Sequence, residues 1–287
     1  MSQPTNILIL SDGKPGHANQ SLGLAEAMGR IRPVRSELLE LDGGKWFPGR
    51  LREAVRAAGN FPAPDLIIGT GHATHLPLLW LSRKYDAHSI VLMRPSLPLR
   101  LFDFCIAPEH DFYGKRVPAN VITSKGALNR VIAGQREKKG KLLLIGGPSK
   151  THGYDEAALV SRIAELAAGG GWQLADSRRT PASFLPAIRK RLPDLEVFHH
   201  RDTPDGWLSA KIPELEEIKV TEDSVSMIYE ALTGGAKVGV LEMPRLRPDA
   251  RVVLGLEKIK AEGRLDGRDM APLAEADRCA AVILSRM

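Results

Sequence analysis

Short apolar runs alternate with longer amphipathic stretches along the whole chain. The runs Asn6–Leu10, Val34–Leu39, Asp65–Gly69, Ser89–Met93 and Asp103–Ala107 are rich in Ile, Leu and Val. Between them, helical periodicity covers Gln20–Gly29, Gly49–Ala58 and Thr74–Arg83. Apolar strands that do not alternate with polar residues, each followed by a helix, predict a parallel sheet covered on both faces. The pattern restarts with a strand at Leu142–Gly146, a helix over Asp155–Ala168 and a strand at Gln173–Asp176. A helix over Ser183–Arg191, strands at Glu196–His199, Ile218–Thr221 and Val238–Leu241, and a helix after Asp223 complete it. The polar segment Ala133-Gly-Gln-Arg-Glu-Lys-Lys-Gly140 reads as a linker. The expected class is α/β, with one Rossmann-like domain over residues 1–132 and a second over 141–271. A final helix lies within 272–287, and the simplest arrangement has the two domains facing each other across a cleft.

Composition narrows the class. A chain of 287 residues that is 43% hydrophobic and 26% charged is globular and long enough for two cores. The only cysteines, Cys105 and Cys279, sit among apolar residues and read as buried free thiols of a reducing compartment. The apolar stretch after Asn6 is too short for a secretion signal, and no run approaches the roughly 20 residues of a membrane span. A cytoplasmic protein is expected, with room for peripheral contact at the inner face of a membrane. The net charge of +6 favours anionic partners such as a nucleotide diphosphate or an anionic lipid surface. Nucleic acid fits less well, because no aromatic-interleaved RNA motif, zinc finger or long basic helix accompanies the charge.

In a parallel sheet, the turns that follow the strands line the edge where ligands bind. The first, Ser11-Asp12-Gly13-Lys14-Pro15-Gly16-His17, matches neither the dinucleotide nor the P-loop glycine pattern. Asp12 and His17 could form a carboxylate-oriented imidazole acting as general base on an acceptor hydroxyl, although the pattern taken alone favours a plain helix-entry loop with a surface histidine. Gly13, Gly16 and Gln20 stand beside them, and Gly71, His72 and Arg94 in later turns complete an acceptor-side set. His72 and His75 lack a third ligand at zinc spacing, so no metal is assigned there. In the second half, Gly147, Ser149 and Lys150 form a phosphate-friendly loop, and Ser177, Arg178, Arg179 and Thr180 form another. Two adjacent arginines point different ways in extended chain, so at most one faces a ligand. Asp223 and Ser224 are strong N-caps for the helix that carries Ser226 and Glu230, and Gly234 or Gly235 is its left-handed stop. A strand feeding a capped helix start suits a diphosphate. No two aspartates are spaced D-x-D, so the leaving charge has to be met by helix N-termini, Lys150 and an arginine, with no metal and no cofactor.

Three segments carry a family resemblance: Ser11-Asp-Gly-Lys-Pro-Gly-His-Ala-Asn-Gln-Ser-Leu-Gly-Leu-Ala-Glu-Ala, Asp176-Ser-Arg-Arg-Thr-Pro, and Val220-Thr-Glu-Asp-Ser-Val-Ser-Met-Ile-Tyr-Glu-Ala-Leu-Thr-Gly-Gly. The last resembles the donor-binding helix of GT-B glycosyltransferases. Together the three resemble the family named for plant proteins required for mitochondrial fission (the elongated-mitochondria family), which has many bacterial members. The resemblance implies a GT-B-like architecture and a nucleotide-sugar donor held by Gly147, Ser149, Lys150, the Ser177–Thr180 loop, Asp223, Ser224, Ser226 and Glu230. It also implies a last helix that packs back on the first domain. Glu222 and Glu230 have the E-x7-E spacing of some retaining glycosyltransferases, but the family usually carries a small residue where this chain has Glu222. The leading expectation is a metal-independent glycosyltransferase or nucleotide-sugar-binding protein with an unspecified acceptor. A non-catalytic interaction protein and a nucleotide-sugar epimerase or hydrolase are the alternatives.

Overall fold

The computed structural model describes residues 3–41, 47–134, 137–265 and 270–287. The chain forms two compact units, Met1–Arg130 with Ala274–Met287, and Val131–Leu273. Gln135 and Arg136 of the expected linker lie outside the described residues.

Unit 1 holds six parallel strands: β1 (Thr5–Ser11), β2 (Val34–Glu40), β3 (Leu66–Thr70), β4 (His88–Leu92), β5 (Phe104–Pro108) and β6 (Val121–Ser124). Their order across the sheet is β2-β1-β3-β4-β5-β6. Helices α1 (Pro15–Ile31), α2 (Phe47–Ala58) and α3 (His72–Tyr85) follow the first three strands. The strand pleat sends neighbouring residues to opposite faces, and both faces are buried. Ile7, Ile9, Ile68, Ile90 and Ile106 pack with Leu24 and Met28 of α1 and with Cys279 and Ile283. Leu8, Leu10, Ile67, Val91 and Cys105 pack on the other face with Ala54, Leu78 and Leu81. This double burial is why these strands read as continuous apolar runs. α1 begins at Pro15, five residues before the expected start, because proline's fixed φ suits the first helical turn. At Gly23 the helix backbone runs against Asn129, whose carbonyl oxygen lies 2.2 Å from where a Cβ would be.

Unit 2 holds five parallel strands: β7 (Lys141–Leu144), β8 (Trp172–Ala175), β9 (Glu196–Phe198), β10 (Glu217–Thr221) and β11 (Lys237–Leu241), in the order β11-β10-β7-β8-β9. Helices α4 (Glu156–Ala167), α5 (Phe184–Arg191), α6 (Trp207–Lys211), α7 (Val225–Gly234) and α8 (Arg251–Ala261) surround it. Leu142, Leu144, Ile218 and Val220 face Ile228, Leu232, Leu256 and Ile259, while Leu143, Ile145 and Leu174 face Leu159, Ile163, Phe184 and Ile188. α4 is capped by Asp155, whose carboxylate accepts from the Ala158 N–H at 3.0 Å. α7 stops at Gly235, which takes φ 74° in the left-handed region. The last helix, α9 (Glu275–Leu284), belongs to unit 1 and packs against α1, where Asp277 pairs with Arg30 at 2.6 Å.

β6, α6 and α8 are additions to the sequence-based expectation. α8 is disguised by Gly255 and by the basic run around Arg251, but Val253, Leu256 and Ile259 recur every three residues and are buried. Among the described residues no helix is long and apolar enough to cross a membrane. Cys105 and Cys279 are both buried free thiols, and burial pushes each up to about 12.

Candidate functional site

Each sheet reverses its direction of growth at one point. In unit 1 the chain passes from β1 to β2 on one side and then to β3 on the other, so the turns after β1 and β3 flank the reversal. In unit 2 β8 and β9 extend one side of β7 and β10 and β11 the other, which places the turns after β7 and β10 there. Ligands of open parallel sheets bind outside the carboxyl ends of strands at this position.

In unit 1, Asp12 and His17 come together. His17 Nδ1 lies 2.9 Å from Asp12 Oδ1, and Lys14 Nζ lies 3.1 Å from Oδ2. Burial pushes the Asp12 carboxyl up, but hydrogen bonds from Lys14 and His17 outweigh it and hold the group below its ordinary value of 3.8. The backbone allows this contact because Gly71 stands opposite: a Cβ there would lie 2.5 Å from Asp12 Oδ2 and 2.7 Å from His17 Nδ1, and its φ is 95°. Gly13 takes φ 75° in the same turn, and the buried Gln20 reaches back to the Gly16 carbonyl at 3.4 Å. His72 lies 2.9 Å from Ser96 Oγ. Arg94 turns elsewhere, donating to the Asp111 carbonyl at 2.7 Å and covering the Phe112 ring at 5.4 Å.

In unit 2, three loops are laced into one structure. Thr180 Oγ1 donates toward the Gly146 carbonyl at 2.6 Å and accepts from the Ser177 N–H at 2.9 Å. Gly147 N–H donates to Asp223 Oδ2 at 3.0 Å, and Arg179 donates to the same oxygen at 2.6 Å and to Ser224 Oγ at 2.9 Å. Arg179 also reaches the Gly147 carbonyl at 3.1 Å. Gly147 has no room for a side chain, since a Cβ would sit 1.9 Å from the Arg179 carbonyl oxygen. Asp223 is fully buried at its side chain, and its Oδ1 has no hydrogen-bond partner.

These contacts sort the expected donor residues by role. Ser149 Oγ accepts from the Thr151 and His152 N–H groups at 3.2 and 3.0 Å, so it shapes its own turn. Ser177, Thr180 and Arg179 hold loops together. Arg178 and Lys150 are exposed and form no ion pair among the described residues. Ser226 is exposed in the first turn of α7, and Glu230 is buried one turn later. Ser224 makes no capping bond to the helix, and no acidic residue occupies the first turn, so the α7 N-terminus keeps its donors and its positive end.

The partners of Glu222 and one further cluster escaped the sequence reading. Glu222 is buried and pairs with Arg245, which also holds Glu257, while His152 Nε2 lies 3.8 Å from Glu222 Oε2. Glu222 therefore ties the turn after β10 to the segment after β11 and does not reach outward as the E-x7-E analogy required. Asp176, His199 and His200 also converge. Only the β8–β9 register, with Ala175 opposite Phe198, connects residues so far apart in sequence.

Two parallel α/β units, each with its loops at a switch point, are the domains of the GT-B fold, and comparison with solved structures bears that class out. The structure of UDP-GlcNAc 2-epimerase from Neisseria meningitidis bound to UDP-GlcNAc is similar with a TM-score of 0.58 at 11% identity, covering 99% of this chain and 100% of that one. CalG4, the calicheamicin glycosyltransferase, is similar with a TM-score of 0.51 at 14% identity, covering 99% and 98%. Within that class, residues 15–287 match the mitochondrial fission ELM1 family, and the chain belongs to it. The uncharacterized protein RP120 of Rickettsia prowazekii is 23% identical over 297 residues, spanning 83% of this chain and 84% of that protein.

Proposed function

We propose that the protein binds a nucleotide diphosphate sugar through unit 2 and that His17 of unit 1 acts as general base on an acceptor hydroxyl. The observation that carries the reading is the start of α7. Its N-cap residue makes no side-chain capping bond, it stands at the switch point, and the loops after β7 and β8 carry the exposed cations Lys150 and Arg178. An anionic diphosphate would meet the helix dipole, the loop amides and those two cations together. Arg179 would serve indirectly by neutralising Asp223, which otherwise would repel the ligand. His17, oriented by an ionised Asp12, would take the acceptor proton. No cofactor is required by this scheme, and no magnesium or manganese is needed to offset the diphosphate charge.

A second reading on the same bound ligand is epimerisation or hydrolysis, favoured by the likeness to the Neisseria epimerase. The test is an assay of UDP-sugar consumption, run on wild type and His17→Ala, with products identified by mass and by sugar configuration. Transfer predicts free UDP and a glycosylated acceptor; epimerisation predicts an isomeric sugar still attached to UDP. Loss of the base should lower turnover roughly 10²–10⁴-fold. Addition of Mg²⁺ or Mn²⁺ should leave turnover unchanged. Unaltered turnover in His17→Ala would remove His17 from the chemistry.

A further inference from the structure

We infer that Asp176, His199 and His200 form a binding site for one divalent transition ion of the zinc class. Their ligand atoms all lie within 4.8 Å of one another. Asp176 follows directly on β8, and the ladder ends with Ala175 opposite Phe198, so Asp176 and His199 stand side by side at the carboxyl edge. In extended chain, adjacent side chains point to opposite faces, and His200 would turn away. It does not, because a turn begins at His199, closed by the Asp202 N–H donating to the His199 carbonyl at 2.9 Å. Both imidazoles therefore face one carboxylate.

The three side chains form a hydrogen-bonded cluster whose ligand atoms an ion could take over. Asp176 already receives His199 Nδ1 at 2.7 Å and the His200 backbone N–H at 2.6 Å. The His200 ring makes a bifurcated contact, its Nδ1 lying 3.2 Å from each carboxylate oxygen. A tetrahedral ion with bonds near 2.0–2.2 Å spaces its ligand atoms by about 3.4 Å; the His200 contacts at 3.2 Å are close to that, and His199, now 2.7 Å from the carboxylate, would move outward on binding. The carboxylate side chain is 3% exposed, whereas the imidazoles are 28% and 22% exposed, so the set is anchored from inside and reachable from outside. Two imidazoles with one carboxylate select zinc, cobalt, nickel or copper over magnesium and calcium, which prefer oxygen alone. Binding through Nδ1 would use the tautomer protonated at Nε2, so a neutral ring exchanges its Nδ1 proton for one at Nε2 with no net release. Three protein ligands leave a fourth position for water or an exogenous donor. The ion would fix the residue from which the Ser177–Thr180 loop departs.

This inference does not depend on the nucleotide-sugar reading, and metal-free protein titrated with Zn²⁺ by calorimetry tests it directly. One ion per chain is expected. Replacing even an indirect partner of a metal ligand weakens binding about 10–100-fold, so His199→Ala and His200→Ala should each lose at least that much, while His88→Ala, in unit 1, should not. Wild-type protein with Co²⁺ supplies a readout that needs no variant: ring-proton signals of two of the eight histidines should shift. Absence of Zn²⁺ heat at about 100 µM protein, binding that both histidine variants retain in full, or Co²⁺ shifts at other histidines would each overturn the site.

Discussion

Arg179 donates to a carboxylate that is entirely buried, while its own side chain is 44% exposed. Removing it leaves the Asp223 charge without its partner, and Arg179→Ala should cost about 1–3 kcal/mol in thermal or denaturant unfolding. Arg179→Ala/Asp223→Asn should recover part of that loss, and Arg179→Lys should recover less than full stability because one ammonium cannot serve both Asp223 and Ser224. Asp12 makes a prediction about pH. Its folded value lies below the ordinary 3.8, so the stability it contributes is present above 3.8 and is lost as pH falls through the lower folded value. The thermal midpoint of wild type should therefore exceed that of Asp12→Asn at neutral pH and converge with it in strong acid. At this scale the sequence was partly legible. Asp12 and His17 were named as a pair from the chemistry of one turn, though the sequence alone favoured a plain helix-entry loop, whereas the inward turn of Arg179 depends on Asp223, 44 residues further on. Arg94 was read as facing the ligand edge, but its partner is a carbonyl at Asp111 that no local pattern announces.

Among elements, the glycines mark where backbones touch. Gly→Ala inside a helix ordinarily stabilises by up to about 1 kcal/mol. In α1 the sign should reverse at Gly23, because the new methyl meets the Asn129 backbone; a cost of about 1–3 kcal/mol is expected in unfolding experiments. Gly147→Ala should separate the loop after β7 from the loop after β8 and reduce nucleotide affinity more than it reduces stability. α3 carries a second pH effect. His75 is buried, and burial first, then the neighbouring His72, push its ring down from 6.5 to about 4. Between those values the unfolded chain takes up a proton that the folded chain does not, so stability falls as pH drops from 6.5 toward 4, by up to about 3 kcal/mol. His75→Gln should flatten that slope. The inner strands were legible because double burial makes them plain apolar runs, while β2, with Arg35, Ser36 and Glu37 exposed, was read from Val34, Leu38 and Leu39. α8 was hidden by a glycine and by flanking charge, and β6 by Thr123 and Ser124, which leave only Val121 and Ile122 as an apolar signal.

For the whole molecule, strand–helix alternation that restarts once is enough to specify two parallel α/β units, and the family match spans residues 15–287. The order of strands is not written in any local segment, yet it decides which turns sit at each switch point. This is why the Asp12–His17 turn and the Gly146–Thr151 and Glu222–Ser226 loops were individually recognisable, while the triad of Asp176, His199 and His200 was not. The account rests on unit 2 holding a nucleotide diphosphate, and calorimetric titration of the full chain with UDP, GDP and ADP tests that most directly. It predicts that at least one nucleotide binds, that Lys150→Ala and Arg178→Ala weaken it, and that His17→Ala binds it as tightly as wild type. Heat from none of the three at millimolar concentration, or loss of affinity in His17→Ala alone, would contradict it.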